Sequence, residues 1–260
     1  MQDISWDSAI RELTAIFNFI GGFFWGPPLL ALLVGTGLYL TVLLGGVQFR
    51  LLPSALKLAF TKKQDDKSTG DISQFQSLMT ALAATIGTGN IAGVATAVVL
   101  GGPGAIFWMW MTALVGMATK YAEGLLAILY RVKDSNGNMS GGPMYYIERG
   151  LNMKWLAMSF ALFGMIAALG TGCSVQSNSV AHAIESSFGI PNWATGVFLT
   201  LITALVMLGG IKSIAKVASV IVPGMALLYI LGGLVIILTN LDLLVPALKL
   251  IMSDAFTGHA

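Results

Sequence analysis

Hydrophobic residues run along this chain in long, nearly uncharged blocks, not in short alternations. Residues 14–49 carry no charge, residues 72–119 carry none over 48 positions, and three more apolar blocks follow before residue 240. A helix needs about 20 apolar residues to cross a bilayer. The blocks therefore predict spans at 27–47, 76–100, 105–130, 155–183, 193–211 and 217–239. The turn Gly101-Gly102-Pro103-Gly104 divides the longest block in two. Trp6, Ile10, Leu13, Phe17 and Ile20 recur at helical spacing. They predict an amphipathic segment over residues 1–26 lying in the membrane interface, ahead of a transmembrane domain over 27–260. Residues 242–256 predict a second surface helix, and either segment also suits an ordinary amphipathic surface with no further role.

Composition fixes the class. Hydrophobic residues make up 56% of the chain and charged residues 10%, and the mean hydropathy is +0.81. Soluble domains carry about 25% charged residues, so this is an all-α polytopic membrane protein. A membrane barrel would show alternating strands of roughly 10 residues, and the chain does not. The net charge of +2 comes without a basic block, which excludes nucleic-acid binding. The single cysteine, Cys173, allows no internal disulfide. Asp3, Asp7 and Glu12 replace the basic start of a signal peptide.

The basic residues set an orientation. Arg50, Lys57, Lys62, Lys63 and Lys67 lie between spans 1 and 2, Arg131, Lys133, Arg149 and Lys154 between 3 and 4, and Lys212 and Lys216 between 5 and 6. These loops hold 11 of the 14 Lys and Arg residues, all on one side when six spans alternate. By the positive-inside rule these loops are cytoplasmic and both termini outside, in a cell membrane. Only Arg11 and Lys249 fall on the other side, and Lys120 sits near the inner end of span 3.

Within span 2, residues 81–97 read ALAATIGTGNIAGVATA. Glycine costs about 1 kcal/mol in a helix interior relative to alanine, and asparagine competes for nearby backbone groups. Gly87-Thr88-Gly89-Asn90 therefore predicts a short unwound segment. Irregular backbone at membrane depth is tolerated only where it is buried in protein or lines a polar cavity. Free N–H groups of Thr88, Gly89 and Asn90 would open the outer half-helix and hold a carboxylate, while carbonyls from 83 to 86 could face a small cation. The same small residues, with Gly89 and Gly93 four apart, also suit close helix packing. The motif alone leaves both readings open.

Other polar positions are fewer. Gln176 and Asn178 stand in span 4 as candidates for substrate contact or for interhelical hydrogen bonds. Lys120 and Glu123 share a helix face and read as an interfacial ion pair. Trp108 and Trp110 read as an interface belt, and His182 as a capping or loop residue. The chain has no GxSxG, HExxH or P-loop pattern, and His182 and His259 lack metal-ligand spacing. An enzyme is not expected.

Three separated stretches resemble one family. GGPGAIFWMWMTALVG at 101–116, ATIGTGNIAGVA at 84–95 and SGGPMYYIERGL at 140–151 look like the alanine/glycine:cation symporters, and VQSNSVA at 175–181 also fits. The likeness implies a LeuT-like fold: one leading helix, then the first five-helix repeat of an inverted pair, with helix 2 discontinuous. It implies import of a small neutral amino acid, alanine or glycine, coupled to Na+ by alternating access, and no organic cofactor. Carried over by position, Thr85, Gly87, Thr88, Gly89, Gln176 and Asn178 would meet the substrate. Thr85 and Asn90 would match one Na+ site, and Ala83 and Ile86 the other. Family members continue into a second repeat, so the resemblance implies a facing wall, needed for function, beyond these 260 residues. The rival expectation is a six-helix membrane module that transports nothing alone and serves only as an assembly part.

Overall fold

The computed structural model describes residues 6–60, 70–135 and 137–257. Asp3, Lys62, Lys63, Lys67 and His259 lie outside them. The described residues are almost wholly helical. The first four helices are α1 (Trp6–Phe24), α2 (Pro27–Leu43), α3 (Val47–Arg50) and α4 (Leu52–Phe60). The broken span follows as α5 (Gln74–Thr85), a π-helical turn at Gly89–Gly93 and α6 (Val94–Gly101), then α7 (Gly104–Leu129). The hairpin β1 (Val132–Lys133) and β2 (Met139–Ser140) leads to α8 (Pro143–Gly150). Then come α9 (Lys154–Ala167), a second π-helical stretch (Ala168–Ser174), α10 (Val175–Phe188), α11 (Asn192–Leu208), α12 (Gly210–Thr239) and α13 (Leu241–Asp254).

Among the described residues, four helical stretches are long and apolar enough to cross a membrane: Ile10–Leu43, Gly104–Leu129, Lys154–Phe188 and Gly210–Thr239. The pair Gln74–Thr85 and Gly89–Gly101, bent by 55°, makes a fifth if counted as one span. The fifth predicted span is α11, apolar but only 17 residues long. The structure thus supports four or five crossings where the hydrophobic pattern predicts six. The first of them starts well ahead of residue 27, because α1 runs into α2 with only Trp25 and Gly26 between. Pro27 and Pro28 open α2 after an extended Gly26 (φ −85°, ψ −154°), in a first helical turn that has no intrahelical use for their missing N–H groups.

The chain divides into two compact units. One comprises Met1–Leu52 and Trp110–Glu123. In it, α2 meets the middle of α7 at Gly37, where an added Cβ would lie 3.0 Å from the Val115 carbonyl oxygen. Buried Gln48 donates from Nε2 to Thr41 Oγ1 (3.0 Å) and to the Leu114 carbonyl (3.4 Å). Lys120 and Glu123 form the expected pair at 2.8 Å, on the exposed side of the helix.

The other unit comprises Pro53–Met109 and Gly124–Ala260 and holds the broken span. Ser73 starts α5 with a capping box: its hydroxyl accepts from the Gln76 amide (3.2 Å), and the Gln76 side chain accepts from the Ser73 amide (3.1 Å). α5 then packs on α12 through Met79, Ala218 and Val222, flanked by Phe75, Leu78 and Leu82. Two residues before the cap, Asp71 Oδ2 accepts the Met139 amide at 2.9 Å. That bond ties the start of α5 to the hairpin, in which Val132 pairs with Ser140 and Lys133 with Met139.

Gly37→Val should cost about 1–3 kcal/mol by overpacking. Gly35→Val, one half-turn away with nothing within 4 Å of its Cβ position, should stay within about 0.5 kcal/mol. Paired thermal unfolding of the two variants in detergent checks this, and equal effects would contradict the close contact.

Candidate functional site

The break begins where α5 runs out of helical geometry. Ile86 is the last residue to close an α-helical bond, from its amide to the Leu82 carbonyl (2.8 Å), and its own backbone is extended, at φ −87° and ψ 107°. The next two amides then turn to side chains. Gly87 donates to Asn90 Oδ1 at 3.0 Å, and Thr88 donates to Gln176 Oε1 at 3.1 Å. Neither amide returns to the carbonyl four residues back, so Ala83 and Ala84 lose the partners a continuous helix would give them. Asn90 closes the corner by donating its amide to the Gly87 carbonyl (3.1 Å).

This corrects one expectation. The amides of Thr88 and Asn90 are not free: a side chain holds the first and the backbone the second. Short polar groups replace the missing helical bonds at the break.

Gln176 reaches the break from α10, 88 positions along the chain. It lies just past the π-helical stretch Ala168–Ser174, where Ser174 Oγ donates five residues back to the Leu169 carbonyl (3.0 Å). Both partners of the Thr88–Gln176 bond therefore border non-α backbone, and such widened turns are frequent at functional sites. Gly87 is the residue that admits the carboxamide: a Cβ there would lie 2.9–3.3 Å from the Nε2, Oε1 and Cδ atoms of Gln176. Gly89 and Gly93 have nothing within 4 Å of their Cβ positions. Among the described residues no neighbour crowds that face.

The remaining candidates separate. Thr85 is exposed, and its hydroxyl donates within its own helix to the Ala81 carbonyl (2.8 Å). Ala83, Ile86 and Asn90 stand around the corner. Asn178 does not join them: two residues beyond Gln176 it lies about 200° round the helix, and it is exposed. His182 is helical, in α10, with Nδ1 3.8 Å from Glu185 Oε2. Trp108 donates from Nε1 to the Ala255 carbonyl at 2.8 Å.

Two features were not anticipated from sequence. The π-helical stretch before Gln176 has no compositional mark beyond Gly170 and Gly172. Asp254 accepts the Gly104 amide from 150 positions away, at 2.9 Å. Among the described residues no group of three or more His, Cys, Asp or Glu side chains could hold a metal ion. The oxygens at the break are neutral carbonyl, amide and hydroxyl groups.

Gly87→Ala and Gln176→Leu should each speed exchange of the Thr88 amide about fivefold, the loss of one ordinary hydrogen bond. Gly89→Ala should leave it unchanged. Amide exchange followed by NMR on 15N-labelled protein decides, and an insensitive Thr88 amide would contradict the bridge.

Residues 10–260 match the sodium:alanine symporter family. The chain is 59% identical, over 96% of its length and 56% of the relative's, to the sodium/alanine symporter AgcS of Methanococcus maripaludis. Two Bacillus subtilis proteins are also similar. The putative sodium/proton-dependent alanine carrier protein YrbD is 43% identical over 89% of this chain and 47% of that one. The probable sodium/glutamine symporter GlnT is 41% identical over 89% and 48%. The chain spans about half the length of these relatives.

Proposed function

The chain belongs to the sodium:alanine symporter family, and on that premise we propose that it imports a small neutral amino acid, alanine or glycine, together with Na+ by alternating access at the break between α5 and α6. One observation carries the reading. The Thr88 amide, set at the mouth of the outer half-helix, already holds a neutral oxygen acceptor, the Gln176 carboxamide, 3.1 Å away. A substrate carboxylate makes the same kind of bond, strengthened by its charge and by the helix dipole.

In this reading the carboxylate engages the Thr88 and Gly89 amides. Gln176 then turns its amino group to the substrate, and the Gly87 and Thr85 backbone line the floor. Na+ is taken by neutral oxygens, as in the broken helices of secondary transporters. Among the described residues Asn90 Oδ1 accepts one bond, from Gly87, and an amide oxygen has a second lone pair to offer. The Thr85 carbonyl completes that site. The Ala83 and Ile86 carbonyls serve a second ion, Ala83 through the partner it lost to the break. A coupled proton would need a titratable group near the break, and Lys120 and Glu123 pair with each other on α7 instead.

We place the chain as six crossings of a cell membrane, with the bent pair and α11 each counted as one. The basic loops are cytoplasmic, α1 begins in the interface, and the arrangement forms the first repeat of a LeuT-like fold. The facing wall of the site is assigned to a region equivalent to the remaining half of the relatives.

Labelled alanine uptake into membrane vesicles carrying the protein should rise with an inward Na+ gradient and fall to background without one. Asn90→Ala should raise the half-saturating Na+ concentration, and Gln176→Ala the half-saturating alanine concentration, each by about tenfold for one lost bond to a charged ligand. Uptake indifferent to Na+ would refute the coupling. No uptake at any gradient from a folded protein would favour the rival six-helix assembly module.

A further inference from the structure

We propose that Asp254 is a positioning residue for the broken span: its carboxylate buckles α13, as a strap, onto the turn between α6 and α7 and so fixes the direction of the outer half-helix. Three contacts make the buckle. Asp254 Oδ2 accepts the Gly104 amide at 2.9 Å. Trp108 Nε1 donates to the Ala255 carbonyl at 2.8 Å. The Phe256 ring lies against Phe107 and Trp108, with centroids 5.4 and 6.0 Å away.

The first contact is the strongest in kind. It sets a carboxylate on the opening amide of α7, a 26-residue helix with no cap of its own. Charge and helix dipole both favour it. The glycines of the turn are spaced for it. Gly102, at φ +72°, leaves the room that any Cβ would take from the Asp254 carboxylate, and a Cβ on Gly104 would run into the backbone of Ala255.

The strap is fastened at its ends. α13 is about 21 Å long at 1.5 Å per residue, and no residue within the helix itself is buried. One end is continuous with α12 through Asn240. The other ends in the buckle, where Ala255 is buried. α12 is also the helix that α5 packs against through Met79. The inner half of the broken span therefore rests on α12 directly, and the outer half is tied to α12 through α13. With both ties made, the 55° bend has little freedom; with the buckle open, the Gly87–Asn90 corner and the Thr88–Gln176 bond are left to hold it.

The strap stands without the transport reading, and only its consequence for substrate handling rests on it. The test has two parts on the intact protein in detergent. Hydrogen exchange of the 101–108 segment, read by mass spectrometry, should quicken about tenfold in Asp254→Ala, as expected for a charge-assisted bond. It should quicken only about threefold in Asp254→Asn, which keeps an oxygen acceptor without the charge. Spin labels at Ser77→Cys and Val99→Cys in a Cys173→Ser background then report the bend. Their separation should shift or broaden by about 5 Å in Asp254→Ala, the swing of a roughly 20 Å half-helix through about 15°, and return towards the parent value in Asp254→Asn. Exchange and label distances unchanged in both variants would overturn the proposal. If Asp254→Ala does not fold, the threefold change in Asp254→Asn carries the test. Labels that move in a protein without Na+-driven uptake would sink the transport reading and leave the strap. Labels that stay fixed in a protein that transports would do the reverse.

Discussion

A polar backbone cannot be left bare inside an apolar layer, and the rest of this structure depends on how that demand is met at Gly87 and Thr88. Two amides leave the helical ladder at one corner. Asn90, three residues away, takes one; Gln176, from a different helix, takes the other. Without both, the break would leave unsatisfied donors, each costing about 1–3 kcal/mol where buried. The corner is therefore a joint between α10 and the broken span as well as a local turn, and its bond to α10 is also the contact that a ligand oxygen could replace.

The surrounding packing serves that joint. α12 backs α5 through Met79, Ala218 and Val222. Asp71 pins the start of α5 to the hairpin, and Asp254 caps the helix that follows α6. The broken span is thus held at each end by a carboxylate on a backbone amide and at its middle by a carboxamide on another. Polar side chains fix its direction where a continuous helix would rely on its own ladder. Such an element can be firm in one arrangement and still have a second one available, the property that alternating access asks of a discontinuous helix.

Much of the local pattern was legible in the sequence. Gly87, Gly89 and Asn90 mark the break because the cause is local: weak helix formers beside an amide side chain that finds its own backbone. Gln176 stood out as a polar residue in an apolar block. What sequence alone does not mark depends on distance or on register. Asp254 looked like part of a surface helix because its partner, Gly104, lies 150 positions away. Asn178 and Gln176 are close in sequence but stand about 200° apart round α10. The π-helical stretch 168–174 left no signal, since a five-residue hydrogen-bond step is a choice made by packing. The first and fifth spans differ in extent for a related reason: hydropathy marks how much apolar chain there is, not where a helix bends or stops.

The central claim is that the outer half-helix offers the Thr88 and Gly89 amides to a substrate carboxylate. The most direct measurement is a solid-state NMR dipolar coupling between the 13C-carboxylate of bound alanine and 15N in the backbone of Thr88 and Gly89, with Na+ present. A direct hydrogen bond, with nitrogen and oxygen about 2.7–3.2 Å apart, predicts a nitrogen-to-carboxylate-carbon separation under about 4 Å and a clear coupling at both residues. Bound alanine with no coupling to either amide would contradict the account.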